Sequence, residues 1–401
     1  MTPTPQPSSS PNIDHSIYLD VLRGLAILMV FFVHVHGATF GWNQLPLKGY
    51  FPDFTQAATL SSQIFYPYVL GGLGVTLFFV LSGYCIHGSL LAYEKRTAGA
   101  FSAPTFLKFF FLRRFFRIYP IYLVAVVYFG FLHARTALTS ENLWPQLLSH
   151  LFLVHNASDN TFTGINGAFW SLAYEWQLYC IYPAFLILRK RLGIERAFTF
   201  VAIGSLLYSL FASSLGPELF CLATAVIQSR YALVWFLGVY VCDRHARGER
   251  VFPRSLAAFG CAVVFGLFAS QFGPLQKILW EIFGFIFAWL LELYRDRTAS
   301  TRWERALAWI GVVSYSLYLF HSPLIETLLP LLRPLLRFAY PYNQMTLGAL
   351  LMLIPLLLLS WCSYQLVERP FHNLGVRLSK RYSGRKSQPQ SPAPAAPAPI
   401  P

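Results

Sequence analysis

The stretch YLDVLRGLAILMVFFVHVHG, residues 18–37, has the length and apolar character of a helix that crosses a lipid bilayer. Such a helix needs about 20 predominantly apolar residues. Of the 401 residues in the chain, 55% are hydrophobic and only 12% are Asp, Glu, Lys or Arg, whereas a soluble domain carries about 25% charged residues. The composition therefore predicts an integral membrane protein, and it excludes disordered, collagen-like, coiled-coil and disulfide-rich classes.

Similar apolar segments recur along the chain and predict an all-α integral membrane protein with about ten transmembrane helices. The predicted spans are 17–37, 68–92, 117–134, 168–188, 196–213, 228–243, 255–270, 275–293, 306–327 and 345–367. The stretch QLLSHLFLVH at 146–155 is too short to span, so we expect it at the interface or re-entering the membrane. A membrane domain is thus expected over 17–375. It is flanked by a disordered N-terminal segment, 1–16, and by a basic, then Pro/Ala-rich disordered tail, 376–401.

Lys and Arg are distributed unevenly between the two sets of loops that ten spans create. One set, with the C-terminal tail, holds 24 of the 31 basic residues, and the other holds 6. Because cytoplasmic loops carry an excess of Lys and Arg, both termini are predicted to be cytoplasmic. The net charge of +14 then reflects topology, and we expect the lipid bilayer, not nucleic acid, as the partner of these charges. The six cysteines show no ligand spacing, so no metal site is predicted.

Two ionisable residues share one face of the first predicted helix. Arg23 and His34 are eleven residues apart, which is within roughly 20° of three full turns and roughly 16 Å along the axis. Asp20 precedes Arg23 by one turn and can pair with it. Ionisable residues inside a span favour function, but Arg23 reaching to the interface and His34 closing a helix end remain an alternative.

Three arginines precede a proline in the segment FLKFFFLRRFFRIYP. Arg113, Arg114 and Arg117 lie on one side of a helix, and Pro120 favours a helix end or a kink. Guanidinium groups bind phosphate through a planar fork, so this cluster is a candidate site for a polyanion. The alternative is a topogenic cluster that rests on anionic lipid head groups.

Further polar groups are placed at depth in two other predicted spans. Glu175 lies about two turns into INGAFWSLAYEWQLYCIYP, after Trp170. A carboxylate beside a histidine raises its basicity, as a general base requires; the alternative is a structural Glu paired with an arginine. Tyr315, Tyr318 and His321 follow one another in WIGVVSYSLYLFHSPL, where a helix-terminal histidine is the alternative. The small residues of GGLGVTLFFVLSGY are interpreted as helix packing.

Taken together, these segments resemble the membrane-bound acyltransferase-3 family. The resemblance covers residues 17 to about 372 and is carried by LDVLRGLAIL with the Arg23/His34 pair, GVTLFFVLSGY, RRFFRIYP and WSLAYEWQLY, with support from SYSLYLFHSP and LVERPF. It implies that Arg23 and His34 are needed for activity, that Glu175 is the acidic residue of the family's WSLxxE segment, and that the arginines of RRFFRIYP are associated with acyl-CoA binding. Relatives that carry a fused soluble esterase-like domain imply a possible separate partner protein that completes transfer.

The function expected from residues and resemblance is a multi-pass O-acyltransferase of the cell membrane. It would move an acyl group, expected to be acetyl, from cytoplasmic acyl-CoA to a hydroxyl of a sugar-containing acceptor such as a cell-surface polysaccharide. Acyl-CoA is the co-substrate and no bound cofactor is expected. The expected roles are catalysis for His34 and Glu175, acyl-CoA binding for Arg23, Arg113, Arg114 and Arg117, and acceptor or oxyanion contact for Trp170, Tyr315, Tyr318 and His321. The alternative is a polytopic transporter or flippase for a glycan or metabolite.

Overall fold

The computed structural model describes residues 17–41, 47–48, 51–52, 55, 71–97, 103–134, 140–162, 164–211, 229–295, 301–336 and 341–382. Its helices are α1 (Ile17–Phe40), α2 (Leu73–Thr97), α3 (Ala103–Ala134), α4 (Ser140–Leu151), α5 (Asp159–Phe162), α6 (Trp170–Phe211), α7 (Ser229–Ala246), α8 (Leu256–Ala269), α9 (Gly273–Gln276), α10 (Leu279–Tyr294), α11 (Arg302–Val312), α12 (Ser314–Leu332), α13 (Pro341–Ser363) and α14 (Arg369–Tyr382). A π-helical turn, Tyr364–Glu368, joins the last two. The two-residue strands β1 (Leu47–Lys48) and β2 (Phe51–Pro52) pair antiparallel.

The all-helical architecture is confirmed, but ten spans are not. By length and composition, the described part of the chain holds five helices able to cross a membrane, or six if α11 and α12, bent by 74°, form one span. The predicted segments 168–188 and 196–213 both fall within α6, which consists of two helices that meet at a kink at Gly193, where φ is 83° and the backbone is not helical. The segment 255–270 forms a helix of only 14 residues, which is shorter than a bilayer requires. Both termini lie outside the described residues, so their cytoplasmic location stays a prediction.

The structure can be compared with two local predictions, a helix end or kink at Pro120 and an interfacial or re-entrant location for the stretch 146–155. α3 runs through Pro120 without ending, which membrane helices tolerate because neighbouring groups satisfy the freed backbone. The stretch 146–155 falls in α4 and the turn after it, where Leu153 has a positive φ of 55°. Trp144 and Phe152 are 66% and 70% exposed there, as expected of a segment that lies at a membrane interface.

Small residues bring the central helices into close contact. A side chain at Gly83 of α2 would collide with the Trp235 backbone of α7, and one at Gly238 of α7 would collide with the Val80 backbone. Reciprocal glycines of this kind let two helix backbones approach, which confirms the packing role predicted for Gly83. α1 packs against α2, α11 and α12, so the helix that carries Arg23 and His34 lies inside the bundle.

Candidate active site

Two adjoining cavities lie beside α1 between the central helices. The mouth cavity, about 600 Å³, is bordered by α1, α2, α3, α11, α12, α14 and the turn before α14. The inner cavity, about 100 Å³, is bordered by α1, α2, α3, α6 and α12. Both are lined by Arg23, Cys85, Arg114, Arg117, Ser314 and Tyr315. Because the two cavities share these walls, they form one passage from a basic mouth into an apolar interior.

The mouth is strongly basic, as the sequence predicted for a phosphate site. Arg23 is held by Asp20 at 2.5 Å, which confirms the predicted pair, and it also donates to the Cys85 sulfur at 3.1 Å. Arg114 and Arg117 line both cavities, whereas Arg113 lines only the mouth. Arg23 therefore faces the passage and does not extend toward lipid.

The two neighbouring arginines of α3 differ in their surroundings. Arg113 donates to the Ser379 hydroxyl at 3.2 Å, and its guanidinium lies 4.3 Å from the Phe109 ring centroid. Arg114 is buried, and its Nε makes no hydrogen bond to any described residue. A buried guanidinium with an unused donor is costly unless a ligand accepts from it, so Arg114 is the stronger candidate for direct contact with an anion.

Glu175 does not contact His34. Its Oε1 accepts hydrogen bonds from the hydroxyls of Ser82, at 2.7 Å, and of Tyr179. The Trp235 indole N–H donates in turn to the Ser82 oxygen at 3.1 Å. Among the described residues, no Lys or Arg forms an ion pair with Glu175, so the alternative of an arginine-paired glutamate is not supported. Glu175, Ser82 and Tyr179 all line the inner cavity, and we call them the mid-passage cluster.

His34 meets another histidine instead of a carboxylate. The ring of His34 lies edge-on to that of His321, with centroids 4.6 Å apart. Nδ1 of His34 donates to the Val30 carbonyl at 2.8 Å, and Nδ1 of His321 donates to the Tyr318 carbonyl at 2.7 Å. A carbonyl only accepts, so in each neutral ring the lone pair is on Nε2. The Nε2 of His321 is buried and makes no hydrogen bond to a described residue.

Three aromatic residues predicted for acceptor or oxyanion contact lie in different surroundings. Tyr315 and Tyr318 line the inner cavity, but their hydroxyls donate to the backbone carbonyls of Ile118 and Ala168. Contact with an oxyanion would therefore require each hydroxyl to exchange its bond. Trp170 does not line either cavity. Its ring packs against that of Tyr231, with the ring centroids 5.4 Å apart.

Several cavity residues were not predicted as site residues. Ser82 is one of the small residues interpreted as helix packing, and neither Tyr179 nor Trp235 was assigned a role in the site. A hydroxyl inside an apolar run was the available signal for Ser82, but such a hydroxyl often bonds its own helix backbone. The wall of the mouth formed by α14 and the turn before it, Tyr364, Glu368, Arg369, His372 and Asn373, was also unassigned.

The comparison with known families is decisive for the chain as a whole. The model of the acyltransferase-3 family, described as an acyltransferase domain, matches residues 16–365. The chain belongs to this family. The match covers every helix that lines the two cavities except α14. No solved structure matches the chain.

Curated relatives of this acyltransferase-3 protein include enzymes that transfer acetyl groups. The chain is 26% identical to the peptidoglycan O-acetyltransferase OatA of Listeria monocytogenes over 391 residues, which are 89% of this chain and 56% of that protein. It is 28% identical to the acyltransferase MdmB of Streptomyces mycarofaciens over 44% of this chain and 40% of that protein. A putative O-acetyltransferase of Staphylococcus aureus is 33% identical over 37% of this chain and 26% of its own length. The chain thus spans about half, or less, of these relatives.

Proposed function

We propose that the protein is an acyl-CoA-dependent O-acyltransferase of the cell membrane. The acyl group is acetyl, and the acceptor is a hydroxyl of a sugar-containing molecule such as a cell-surface polysaccharide. The observation that supports this most directly is the passage itself, which begins at a cluster of arginines and extends to Tyr318. The ring centroid of Tyr318 lies 5.5 Å from that of His321, which in turn lies edge-on to His34; the two histidines themselves line neither the mouth nor the inner cavity. Membership of the acyltransferase-3 family and similarity to O-acetyltransferases support the same reaction.

The mouth suits the nucleotide end of coenzyme A. The phosphates of the nucleotide are bound by Arg114 and Arg117, with Arg23 at the entrance to the inner cavity, because these three guanidinium groups face one space. Arg113 contributes charge at the rim. The pantetheine arm then enters the narrow inner cavity, whose walls include Phe78, Phe79 and Leu172.

The histidine pair supplies the base for transfer. The acceptor hydroxyl gives its proton to Nε2 of His34 while its oxygen attacks the thioester carbonyl carbon. A carbon–oxygen bond forms, the carbon–sulfur bond breaks, and the proton passes from His34 to the departing thiolate, which leaves as free coenzyme A thiol. General-base catalysis contributes about 10²–10⁴-fold, so positioning of donor and acceptor must supply the rest.

The route of the acceptor lies on the opposite side of the membrane from the donor. A separate partner protein that completes transfer to the polysaccharide is also part of the proposal.

The test is acceptor-dependent release of thiol from acetyl-CoA by membranes that contain the full chain. Isolated cell-wall glycan is the first acceptor to supply, since one relative is a peptidoglycan O-acetyltransferase. His34→Asn removes the base, while the amide nitrogen of Asn can still donate to the Val30 carbonyl. We expect thiol release to fall by about 10²–10⁴-fold.

His36→Asn is the matched control because His36 is a buried histidine of the same helix whose ring lies edge-on to Phe40, whereas the ring of His34 lies edge-on to His321. It should leave the rate within about twofold of wild type, a change of less than 0.5 kcal/mol. Full activity in inserted His34→Asn would refute His34 as the base. Thiol release by wild type that does not depend on the glycan would refute the acceptor class.

A further inference from the structure

The mid-passage cluster lies between the arginines of the mouth and the histidine pair, and its depth can be measured along α2, α6 and α12. Arg23 contacts Cys85, and Ser82 is three residues away on α2, about 4.5 Å. Ser82 contacts Glu175, and Ser171 is four residues away on α6, about 6 Å. Ser171 contacts Tyr318, and His321 is three residues further along α12, about 4.5 Å.

These steps agree with the distance along α1. Together they amount to about 15 Å, and the eleven residues from Arg23 to His34 rise about 16 Å. The cluster therefore lies roughly a third of the way from the guanidinium groups to the histidine pair. Any thioester whose phosphates are at the arginines and whose reactive carbon is at the histidines must pass it with the middle of its arm.

The cluster is polar in a region that is otherwise apolar. The inner cavity is also lined by side chains such as Val75, Phe78 and Leu172, which suit the methyl and methylene groups of an arm. Polar groups are costly in such surroundings unless they are hydrogen-bonded. Both hydrogen bonds to Glu175 end on Oε1, and no described residue donates to Oε2. Glu175 thus offers a free acceptor to the cavity.

The hydroxyl groups beside Glu175 strengthen this acceptor character. Ser82 uses its proton on Glu175 and receives the Trp235 N–H, while Tyr179 also uses its proton on Glu175. Both hydroxyl protons are therefore used in hydrogen bonds to Glu175, so the cluster presents oxygen lone pairs to a ligand. The complementary ligand carries N–H or O–H donors in the middle of an otherwise thin, apolar arm.

We propose that Glu175, with Ser82 and Tyr179, binds the amide groups of the pantetheine arm and selects pantetheine thioesters over other thioesters. This inference rests on the proposed function, because it assigns a subsite to the same donor. The arm carries two amide N–H groups and one hydroxyl between its phosphates and its sulfur. Glu175 is thus a residue that binds and positions the donor, not the group that orients the base.

The test uses competition binding to measure separately the affinity for the nucleotide end and for the pantetheine end of the donor. Labelled acetyl-CoA is bound to the purified full chain in nanodiscs, and it is displaced with coenzyme A, with pantetheine, or with adenosine 3′,5′-bisphosphate. Glu175→Leu and Tyr179→Phe should weaken pantetheine and coenzyme A by about 10-fold or more, as loss of a buried hydrogen bond to a charged group predicts. Their affinity for adenosine 3′,5′-bisphosphate should stay within about twofold of wild type.

Two controls make the outcome specific. Tyr174→Phe removes a tyrosine hydroxyl from the same helix that does not line the cavity, and it should change none of the three affinities. Arg117→Gln should show the opposite pattern, with loss for adenosine 3′,5′-bisphosphate and little change for pantetheine. Unchanged pantetheine affinity in folded Glu175→Leu, or equal loss for both fragments, overturns the proposal. Failure of wild type to bind coenzyme A at all would instead overturn the proposed function.

Discussion

Acidification should locally unfold the segment that contains two stacked histidines, His150 and His155. This segment lies outside the candidate membrane spans. The rings of His150 and His155 are parallel within 3°, with centroids 4.1 Å apart. Nδ1 of His150 donates to the Gln146 carbonyl, and Nε2 of His155 donates to the Phe169 carbonyl. Both side chains are fully buried. Protonation would place two positive charges face to face without water, so the folded segment holds both rings neutral.

The size of the effect follows from the pKa values. Burial lowers the pKa of His150 to about 4, and burial together with the charge of His150 lowers the pKa of His155 to about 3. The ordinary pKa of histidine is about 6.5. As the pH falls below this value the opened segment takes up protons and the closed one does not, so stability is lost. Between about pH 7.5 and pH 5 the loss is about 2 kcal/mol for each histidine.

The assay is amide hydrogen exchange of residues 146–169 at both pH values, corrected for intrinsic exchange rates. A combined loss of about 4 kcal/mol raises the opening constant by about 1000-fold. The matched variant is His150→Asn with His155→Gln, in which each amide nitrogen replaces the donating ring nitrogen and neither side chain titrates. Its opening constant should be nearly independent of pH in this range. If the variant and wild type opened equally more at pH 5, the histidine pair would not be the cause.

Two further predictions concern the arginines and the glycines. Arg114→Gln should weaken binding of adenosine 3′,5′-bisphosphate by about 10–100-fold, because a buried charged donor is lost. Arg113→Gln, at the rim of the mouth, should weaken this binding less. Equal losses of affinity for the two variants in competition binding would contradict the distinction. Gly83→Val should lower the thermal unfolding midpoint because its side chain meets the Trp235 backbone, at a cost of about 1–3 kcal/mol or more. Gly260→Ala, which meets no atom within 4 Å, should leave the midpoint unchanged.

The sequence was sufficient for the helical class because its signal is local. An apolar run such as residues 18–37 must be helical in a membrane, since only internal hydrogen bonds satisfy its backbone there. The count of spans was less accessible. Two helices of α6 meet at a kink at Gly193, near the predicted division, but α8 has only 14 residues and is shorter than a bilayer requires. The run of apolar residues is similar in these cases, and the difference lies in where the backbone bends and how the helices pack.

In the candidate site, too, the features that belong to one helix could be predicted from the sequence, and the contacts between helices could not. The shared face of Arg23 and His34 is a property of one helix and could be worked out from spacing, and the Asp20 pair is equally local. The contact of Glu175 with Ser82 could not be, nor the contact of Ser82 with Trp235, because these two residues come from other helices and are 93 and 60 residues from Glu175 in sequence. A carboxylate in a span has several plausible partners, and only the packing of α2, α6 and α7 selects among them.

The separation of Glu175 from His34 changes what each residue can contribute. A histidine whose Nδ1 is held by the Val30 carbonyl already has a fixed tautomer, so it needs no carboxylate to present Nε2 as a base. The carboxylate is then available to bind the donor, and a second imidazole, that of His321, lies edge-on to His34 with ring centroids 4.6 Å apart. Loss of Glu175 should therefore act on donor affinity, and loss of His34 on the rate of transfer with donor bound. A passage in which binding and proton transfer occupy different depths allows the donor to be recognised along its whole length before its thioester reaches the base.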